Sequence, residues 1–317
     1  MKKPEVVQKN DFVREVVFSN KLDVNDIKIL KAIISQVKSN DTLFDDFYTI
    51  DYNLLDLVGI SKDHRFERVR KTLKNLANTY IKLTEEQREI AKDKTLKMFK
   101  GERELGIIKN DFYYPKHQSK IVISLTPLLK DFLLNLEDNF VKYRLENLAK
   151  LKNTKDIKIY EIFSSWKSKG NVVYSLEQIK EMFDLKTKSF KLYGNLKKWL
   201  VSSIERVNKN TDIYITFEEL DSLKTLRTSK NTPVKYLHFY IKDKNSLYNI
   251  NVKSLVGKMF LDNKNHKIFI KSIKQSKDNP KKFNLELVNL TEVGVAKIKD
   301  VSKTYIIENI STRLLKA

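Results

Sequence analysis

The sequence contains no cysteine, which excludes disulfide bonds, thiolate chemistry and cysteine-ligated zinc fingers. Its four histidines are scattered singly, so no His-x-His pair is present to hold a metal beside a nucleophile. Its seven glycines form no phosphate-binding loop, because Gly257-Lys258 lacks both the earlier glycine and the hydroxyl residue that such a loop requires. We therefore expect no catalytic residue, no metal, no cofactor and no enzymatic activity.

Long apolar runs are also absent. No uninterrupted run approaches the length of about 18 residues that a membrane helix needs, and the polar N-terminus lacks the apolar core of a signal peptide. The expectation is a cytosolic protein of two or three domains without a membrane partner. The sequence does contain an excess of positive charge. It has 61 Lys and Arg residues and 40 Asp and Glu residues, which give a net charge of +21. This excess predicts an anionic partner.

Residues 61–80 are the most informative stretch, because on a helix they combine an apolar stripe with a basic face. Three of the ten arginines of the chain lie here within six residues, and arginine offers a planar, bidentate donor fork. Such a face suits the DNA major groove, although a solvated face on a core helix explains this stretch equally well when it is taken alone. The predicted DNA-binding residues, with Arg65 and Arg70 on the flanks, are His64, Arg65, Arg68, Arg70, Lys71 and Asn75.

A short helix and a tight turn precede this basic helix. Asp51 is a typical N-cap residue for the short helix, and Gly59 would end it. A short helix, a glycine-bearing turn and a longer basic helix form a helix-turn-helix. Strands over Leu105–Phe112 and Lys120–Leu125, joined by a turn at 115–118, would add a wing. The pattern predicts a winged-helix domain.

The same order of elements recurs 130 residues later. Asp26-Ile27-Lys28-Ile29 reappears letter for letter at 156–159, each time at the start of an amphipathic helix. Ser175 and Gln178 then predict a capping box, and strands over Ile213–Glu218 and Val234–Ile241 predict a second wing. The predicted DNA-binding residues on the second basic helix are Lys188, Lys191, Asn195, Lys198, Ser202 and Arg206.

Residues 249–317 differ from both copies, since short β-patterned runs alternate here with turn clusters. Five strands in this space suggest a small barrel or sandwich. Thirteen Lys and one Arg against six acidic residues give a net charge of +8, which suits a contact with DNA and a contact with protein equally. The predicted strands are Gly257–Leu261, Lys267–Ile273, Phe283–Val288, Gly294–Ile298 and Thr304–Ile310.

The sequence therefore predicts an α+β protein with three parts. Two tandem winged-helix domains would occupy residues 1–138 and 139–248, and a β-rich, barrel-like module would occupy residues 249–317. Composition and spacing alone indicate a sequence-specific protein with two DNA-binding domains. They do not identify the biological process in which it binds DNA.

Five further stretches of residues 5–245 have a specific order and spacing. They are Val6–Asn10, Leu54–Ile60, Ile159–Phe163, Tyr174–Ile179 and Ile204–Asp212. The third is similar to a helix with a Leu-Tyr-Glu core, and the fifth to an Ile-x-x-Ile-Asn-x-x-Thr-Asp ending. In these features the chain resembles the iteron-binding plasmid replication initiators of the RepB/RepE type. The last part of the chain lies beyond the resemblance, and the glycine inside the second basic helix departs from it.

The resemblance implies two winged-helix domains related by a pseudo-twofold axis. It also implies monomers that bind directly repeated iterons in double-stranded origin DNA, help to melt nearby AT-rich DNA, and recruit the host replication initiator and helicase. A monomer–dimer equilibrium is implied as well, with dimers that repress the protein's own gene. Three alternatives stay open: a dimeric transcriptional regulator, a nicking initiator or nuclease, and a basic nucleoid-type protein without sequence preference.

Overall fold

The computed structural model describes residues 4–14, 17–18, 21–83, 103–113, 120–137, 139–223, 225–226, 229, 232–244, 252–261, 266–276, 278–279, 282–292, 294–303, 305–306 and 310. The chain folds into two compact units, Met1–Thr211 with Phe217–Ile241, and Asp212–Thr216 with Lys242–Ala317. The predicted domain boundaries at 138 and 248 stay predictions. In the described part, no helix is both long and apolar enough to span a membrane.

Helices and strands alternate through the first winged-helix domain. In chain order they are β1 (Glu5–Lys9), α1 (Asn10–Arg14), β2 (Val17–Phe18), α2 (Val24–Ile34), β3 (Tyr48–Asp51), α3 (Tyr52–Leu57), α4 (Arg65–Ala77), β4 (Tyr80–Leu83), β5 (Arg103–Gly106), β6 (Ile108–Tyr113), β7 (Lys120–Leu125) and α5 (Lys130–Leu133). One sheet has the order β3-β7-β6 and a second the order β2-β4-β5. Helices α3 and α4 form the predicted helix-turn-helix, and β6 with β7 forms its wing.

The strand predicted over Leu105–Phe112 is two strands. Leu105 pairs with Ile81 of β4, whereas Phe112 pairs with Ile123 of β7. The division occurs where two adjacent side chains, those of Ile107 and Ile108, are both buried. Adjacent residues of one strand face opposite sides, so the alternation breaks there and the chain changes sheets. The predicted turn at 115–118 lies outside the described residues.

The first strand of the chain finds its partner far along the sequence. Strand β8 (Phe140–Arg144) pairs antiparallel with β1, and Glu5 lies opposite Arg144. The facing side chains of Val6 and Tyr143 are buried at 0% and 4% exposure, so the pair belongs to the core. Main-chain hydrogen bonds therefore join the start of the chain to a strand more than 130 residues later.

The plan of the first winged-helix domain recurs later in the chain. The elements of this second copy are α6 (Thr154–Ser164), β9 (Asn171–Ser175), α7 (Leu176–Met182), α8 (Tyr193–Asn210), β10 (Ile213–Leu220) and β11 (Tyr236–Asp243). The strands form one sheet in the order β10-β11-β9. The predicted capping box is present, since the Ser175 hydroxyl accepts from the Gln178 amide at 3.1 Å and the Gln178 side chain accepts from the Ser175 amide at 2.8 Å.

The C-terminal unit contains an antiparallel sheet of β12 (Met259–Leu261), β13 (Lys267–Gln275), β14 (Lys282–Asn289) and β15 (Gly294–Ser302), in that order. One face of this sheet packs on a core with a 3-10 turn, Val252–Leu255. The described strands form an open antiparallel meander, which agrees with the predicted β-rich module. Of the predicted fifth strand, Thr304–Ile310, the structure describes Tyr305, Ile306 and Ile310. These three are not in a strand, because Tyr305 and Ile306 are helical and the Ile310 amide donates to the Ile306 carbonyl at 3.0 Å.

Candidate nucleic-acid interface

Helix α4 presents one buried and one exposed side. Val69, Leu73 and Leu76 are buried, while Arg70 and Lys71 are exposed on the other side. The turn before it uses left-handed backbone twice, at Gly59 (φ +72°) and at His64 (φ +48°), the residue before the first turn of α4. His64 makes no capping hydrogen bond with its side chain. The exposed side chain of His64 therefore stands at the N-terminal end of the basic face.

A groove of about 560 Å³ opens between the basic face of α4 and the first turn of α2. Lys21, Arg68 and Lys71 line it with positive charge, and Asp23 and Glu67 line it with negative charge. Donors and acceptors thus stand side by side, as recognition of base edges requires. Sequence reasoning missed Lys21, whose only signal is its place two residues before the cap of α2.

Arg65 differs from the sequence-based assignment, because its side chain points into the domain. It is 5% exposed and donates to the Ile60 carbonyl at 2.7 Å, to the Ser61 carbonyl at 3.3 Å and to the Asp56 carboxylate. These groups belong to α3 and to the turn that follows it. The guanidinium therefore fixes α3 against α4, and it is not on the exposed basic face.

Asn75 is also engaged inside the domain. Its amide donates to Asp26 Oδ2 at 2.7 Å, and the Thr72 hydroxyl donates to Asp26 Oδ1 at 2.8 Å. Asp26 is buried in the first turn of α2, where it forms a capping box with Asp23. The carboxylate therefore ties α2 to the basic helix α4.

The second domain uses the repeated aspartate in the same way. Asp156, buried at the start of α6, accepts from Arg206 Nε at 2.7 Å and from its Nη2 at 2.9 Å. The hydrogen bond with Asp156 raises the pKa of Arg206 further. Arg206 also donates to the hydroxyls of Ser202 and Ser203, at 2.7 and 2.9 Å. Its side chain is 45% exposed, so Arg206 has both a structural partner and a solvent-facing edge.

The lysine of the repeated Asp-Ile-Lys-Ile sequence also has a structural role in the first copy. Lys28 donates to the Ala149 carbonyl at 2.8 Å, and burial, followed by the charge of Lys152, lowers the pKa of Lys28 to about 8. Burial also lowers the pKa of Lys158, its counterpart in the second copy. The aspartate and the lysine of the repeated sequence thus lie at least partly buried, on α2 in the first copy and on α6 in the second.

The remaining predicted residues of the second domain lie on two elements. Lys188 and Lys191 are exposed on a 3-10 turn, Lys188–Lys191, that precedes α8. Asn195 in the first turn of α8 donates to the Ser189 carbonyl at 2.9 Å, which fixes that turn to the helix. Lys198 is exposed on the next turn. The basic face therefore begins before the helix does.

Comparisons with known proteins agree with this architecture. Residues 5–164 match the family model "Initiator Replication protein, WH1", and residues 175–241 match "Initiator Rep protein, WH2". A crystal structure of the Pi initiator protein in complex with iteron DNA has a similar fold, with a TM-score of 0.59, 14% identity, and coverage of 77% of this chain and 99% of that one. Comparison with curated proteins gave no match. The two winged-helix domains and the resemblance read from the sequence are confirmed: the chain belongs to the initiator replication protein family.

Proposed function

We propose that this initiator binds directly repeated duplex sites, iterons, at a plasmid origin of replication. Each winged-helix domain places its basic helix, α4 or α8, in a major groove. The observation that carries the proposal is the exposed basic face on both helices, each anchored to its domain through the same repeated aspartate. The solved relative with iteron DNA supports this choice of ligand.

The contacts divide the predicted residues into three groups. Arg68, Arg70 and Lys71, with Lys191 and Lys198 in the second domain, are assigned to the DNA. The side chains that hold the basic helices in place are Arg65, Asn75, Asn195 and Arg206. His64, Lys188 and Ser202 flank the two basic faces.

We further propose that the protein acts in the cytoplasm without chemistry of its own. Smooth bending of a duplex of 20–30 bp costs about 1–6 kcal/mol, which a specific interface supplies. Separation of a longer AT-rich tract then needs supercoiling and an ATP-driven host partner, so recruitment of the host initiator and helicase belongs to the proposal. Repression of its own gene by a dimer is a further part.

Two neighbouring arginines should respond differently to substitution. Arg65→Ala removes a buried guanidinium from several carbonyls and a carboxylate, and we expect a loss of about 3 kcal/mol in the free energy of unfolding. Arg68→Ala should change stability by less than about 0.5 kcal/mol. It should weaken iteron binding by about 1–3 kcal/mol and relax base preference, as expected for a residue that reads a base edge.

Urea unfolding and binding to wild-type and scrambled sites separate the two roles. Lys71→Ala serves as the matched control, because loss of a phosphate contact weakens all sequences alike. A uniform loss from Arg68→Ala over both sites would contradict base reading. An Arg65→Ala variant of unchanged stability with altered base preference would contradict the structural role.

The proposed function is tested with purified protein on a supercoiled plasmid that carries the DNA flanking its gene. We expect regularly spaced protections over direct repeats, with permanganate reactivity in a neighbouring AT-rich tract and no strand break. A single protected palindrome would favour a transcriptional regulator instead. Metal-dependent nicking that survives repurification, or covalent attachment to a 5′ end, would overturn the non-enzymatic part.

A further inference from the structure

The C-terminal sheet has one covered face and one open face. Ile270 and Leu287 lie opposite each other and are buried in the core of this unit. Side chains alternate along each strand, so the neighbours of these residues point to the other side of the sheet. That second side, here termed the outer face, is described by the cross-strand pairs that follow.

A row of four apolar residues crosses the outer face. Met259 lies opposite Phe269, Phe269 opposite Val288, and Val288 opposite Val295, so the row runs through all four strands. Three spacings between neighbouring strands make it about 14 Å long. Met259 and Val295 are 38% and 58% exposed, and Phe269 and Val288 are partly exposed. A continuous apolar row is thus open to solvent.

Lysines border this row. On the next rows, Lys271 donates to Glu286 at 2.9 Å, Lys297 lies opposite Glu286, and Lys274 lies opposite Asn284. The hydrogen bond from Lys271, with the charges of Lys297 and Lys274, lowers the pKa of Glu286. Glu286 is the single acid among these paired positions, so positive charge dominates beside the apolar row.

We propose that the outer face of the C-terminal sheet binds single-stranded DNA. Lysines beside the row neutralise phosphates, and the row, centred on the ring of Phe269, receives unpaired bases. Two observations favour this occupant: the net charge of +8 over residues 249–317, and an apolar row among the lysines. In a duplex the base faces are stacked on one another and cannot contact the apolar row. In single-stranded DNA every unpaired base exposes a face that can stack on an aromatic ring.

The assigned site lies outside residues 5–241, which contain both matched winged-helix regions. It adds a second kind of nucleic-acid contact to the chain, and it does not depend on iteron recognition. The two activities are separable by substitution, because the basic faces of α4 and α8 share no residue with the sheet.

The test measures binding of a fluorescein-labelled oligothymidylate to the full-length protein. Phe269→Ala should weaken this binding on the order of tenfold, because a stacking contact is lost. Lys274→Glu combined with Lys297→Glu should weaken it at least as much. Lys253→Glu is the matched control, since it makes one of the same charge changes on the 3-10 turn that packs against the opposite face.

Duplex iteron binding is measured on the same samples. It should be unchanged in every variant, which also shows that the winged-helix domains are intact. Phe269→Leu keeps the apolar volume while removing the ring, and an intermediate loss is expected from it. Unchanged oligothymidylate binding in Phe269→Ala and in the double lysine variant would overturn the site. An equal loss from Lys253→Glu would also overturn it, because the effect would then be one of overall charge.

Discussion

Glu161→Ala is expected to lower the free energy of unfolding by about 3–5 kcal/mol, because it strands a buried cation. Glu161 lies on α6 and accepts hydrogen bonds from Gln8 at 3.0 Å and from the Tyr143 hydroxyl. The ammonium of Lys31 lies 2.7 Å from the same carboxylate, and the two side chains are only 5% and 8% exposed. Without the carboxylate, the Lys31 ammonium keeps two uncharged partners, Oε1 of the Gln8 side chain at 2.9 Å and the ring of Phe12, whose centroid is 5.3 Å away.

Urea unfolding measures this loss, and two variants calibrate it. Glu177→Ala removes an exposed carboxylate from helix α7 and should change stability by less than about 0.5 kcal/mol. Lys31→Met combined with Glu161→Leu should recover part of the loss, since an apolar replacement leaves no buried charge unpaired. A cost below about 1 kcal/mol for Glu161→Ala would show that the carboxylate is not the counter-charge of Lys31.

Gly59→Ala should lower the free energy of unfolding by about 2–4 kcal/mol, from two sources. The backbone of Gly59 is left-handed, with φ at +72°, which costs an L-residue about 1–2 kcal/mol. In addition, a Cβ atom at this position would lie 2.8 Å from the carbonyl oxygen of Ala149. Because that oxygen belongs to the main chain, relief requires movement of the helix-turn-helix.

Gly170→Ala is the matched control for Gly59→Ala. Its φ is +76°, but the nearest atom to an added Cβ is the Ile241 carbonyl oxygen at 3.9 Å, an ordinary contact. We expect it to cost only the backbone part, about 1–2 kcal/mol. Urea unfolding gives the loss of stability of each variant, and the difference between the two losses is the cost of the close contact with the Ala149 carbonyl oxygen. Equal losses would show that the turn moves to relieve this contact at no cost.

Local signals explain what the sequence predicted well. The predicted capping residues Asp51 and Ser175 act through atoms three residues away, so their patterns identify helix starts without knowledge of the fold. The repeat also carried structural information, since Asp26 and Asp156 make equivalent anchors. The helix-turn-helix elements were predictable for the same reason: spacing along a helix fixes which side is buried.

Contacts that depend on the path of a turn were not predictable. A helical projection sets Arg65 on the flank of the basic face, yet it is the first residue of α4, and its side chain reaches back to carbonyls of the preceding turn. Residues 304–310 have the composition of a strand, but Ile306 and Ile310 enter the core four residues apart. Docking there outweighs β-propensity, which is itself a weak preference.

The pairing of β1 with β8 determines how late in synthesis the first strand can find its partner. Glu5 and its partner Arg144 are separated by 139 residues, so at about 5–20 residues per second the ribosome needs about 7–28 s to supply the second strand. Arg14 gains one of its contacts later still, because it donates a hydrogen bond to the Ser165 hydroxyl at 2.8 Å. Until then β1 is an unpaired edge, open to pairing with other nascent chains. Strand β1, which is synthesised first, is therefore paired only after more than 130 further residues have been made.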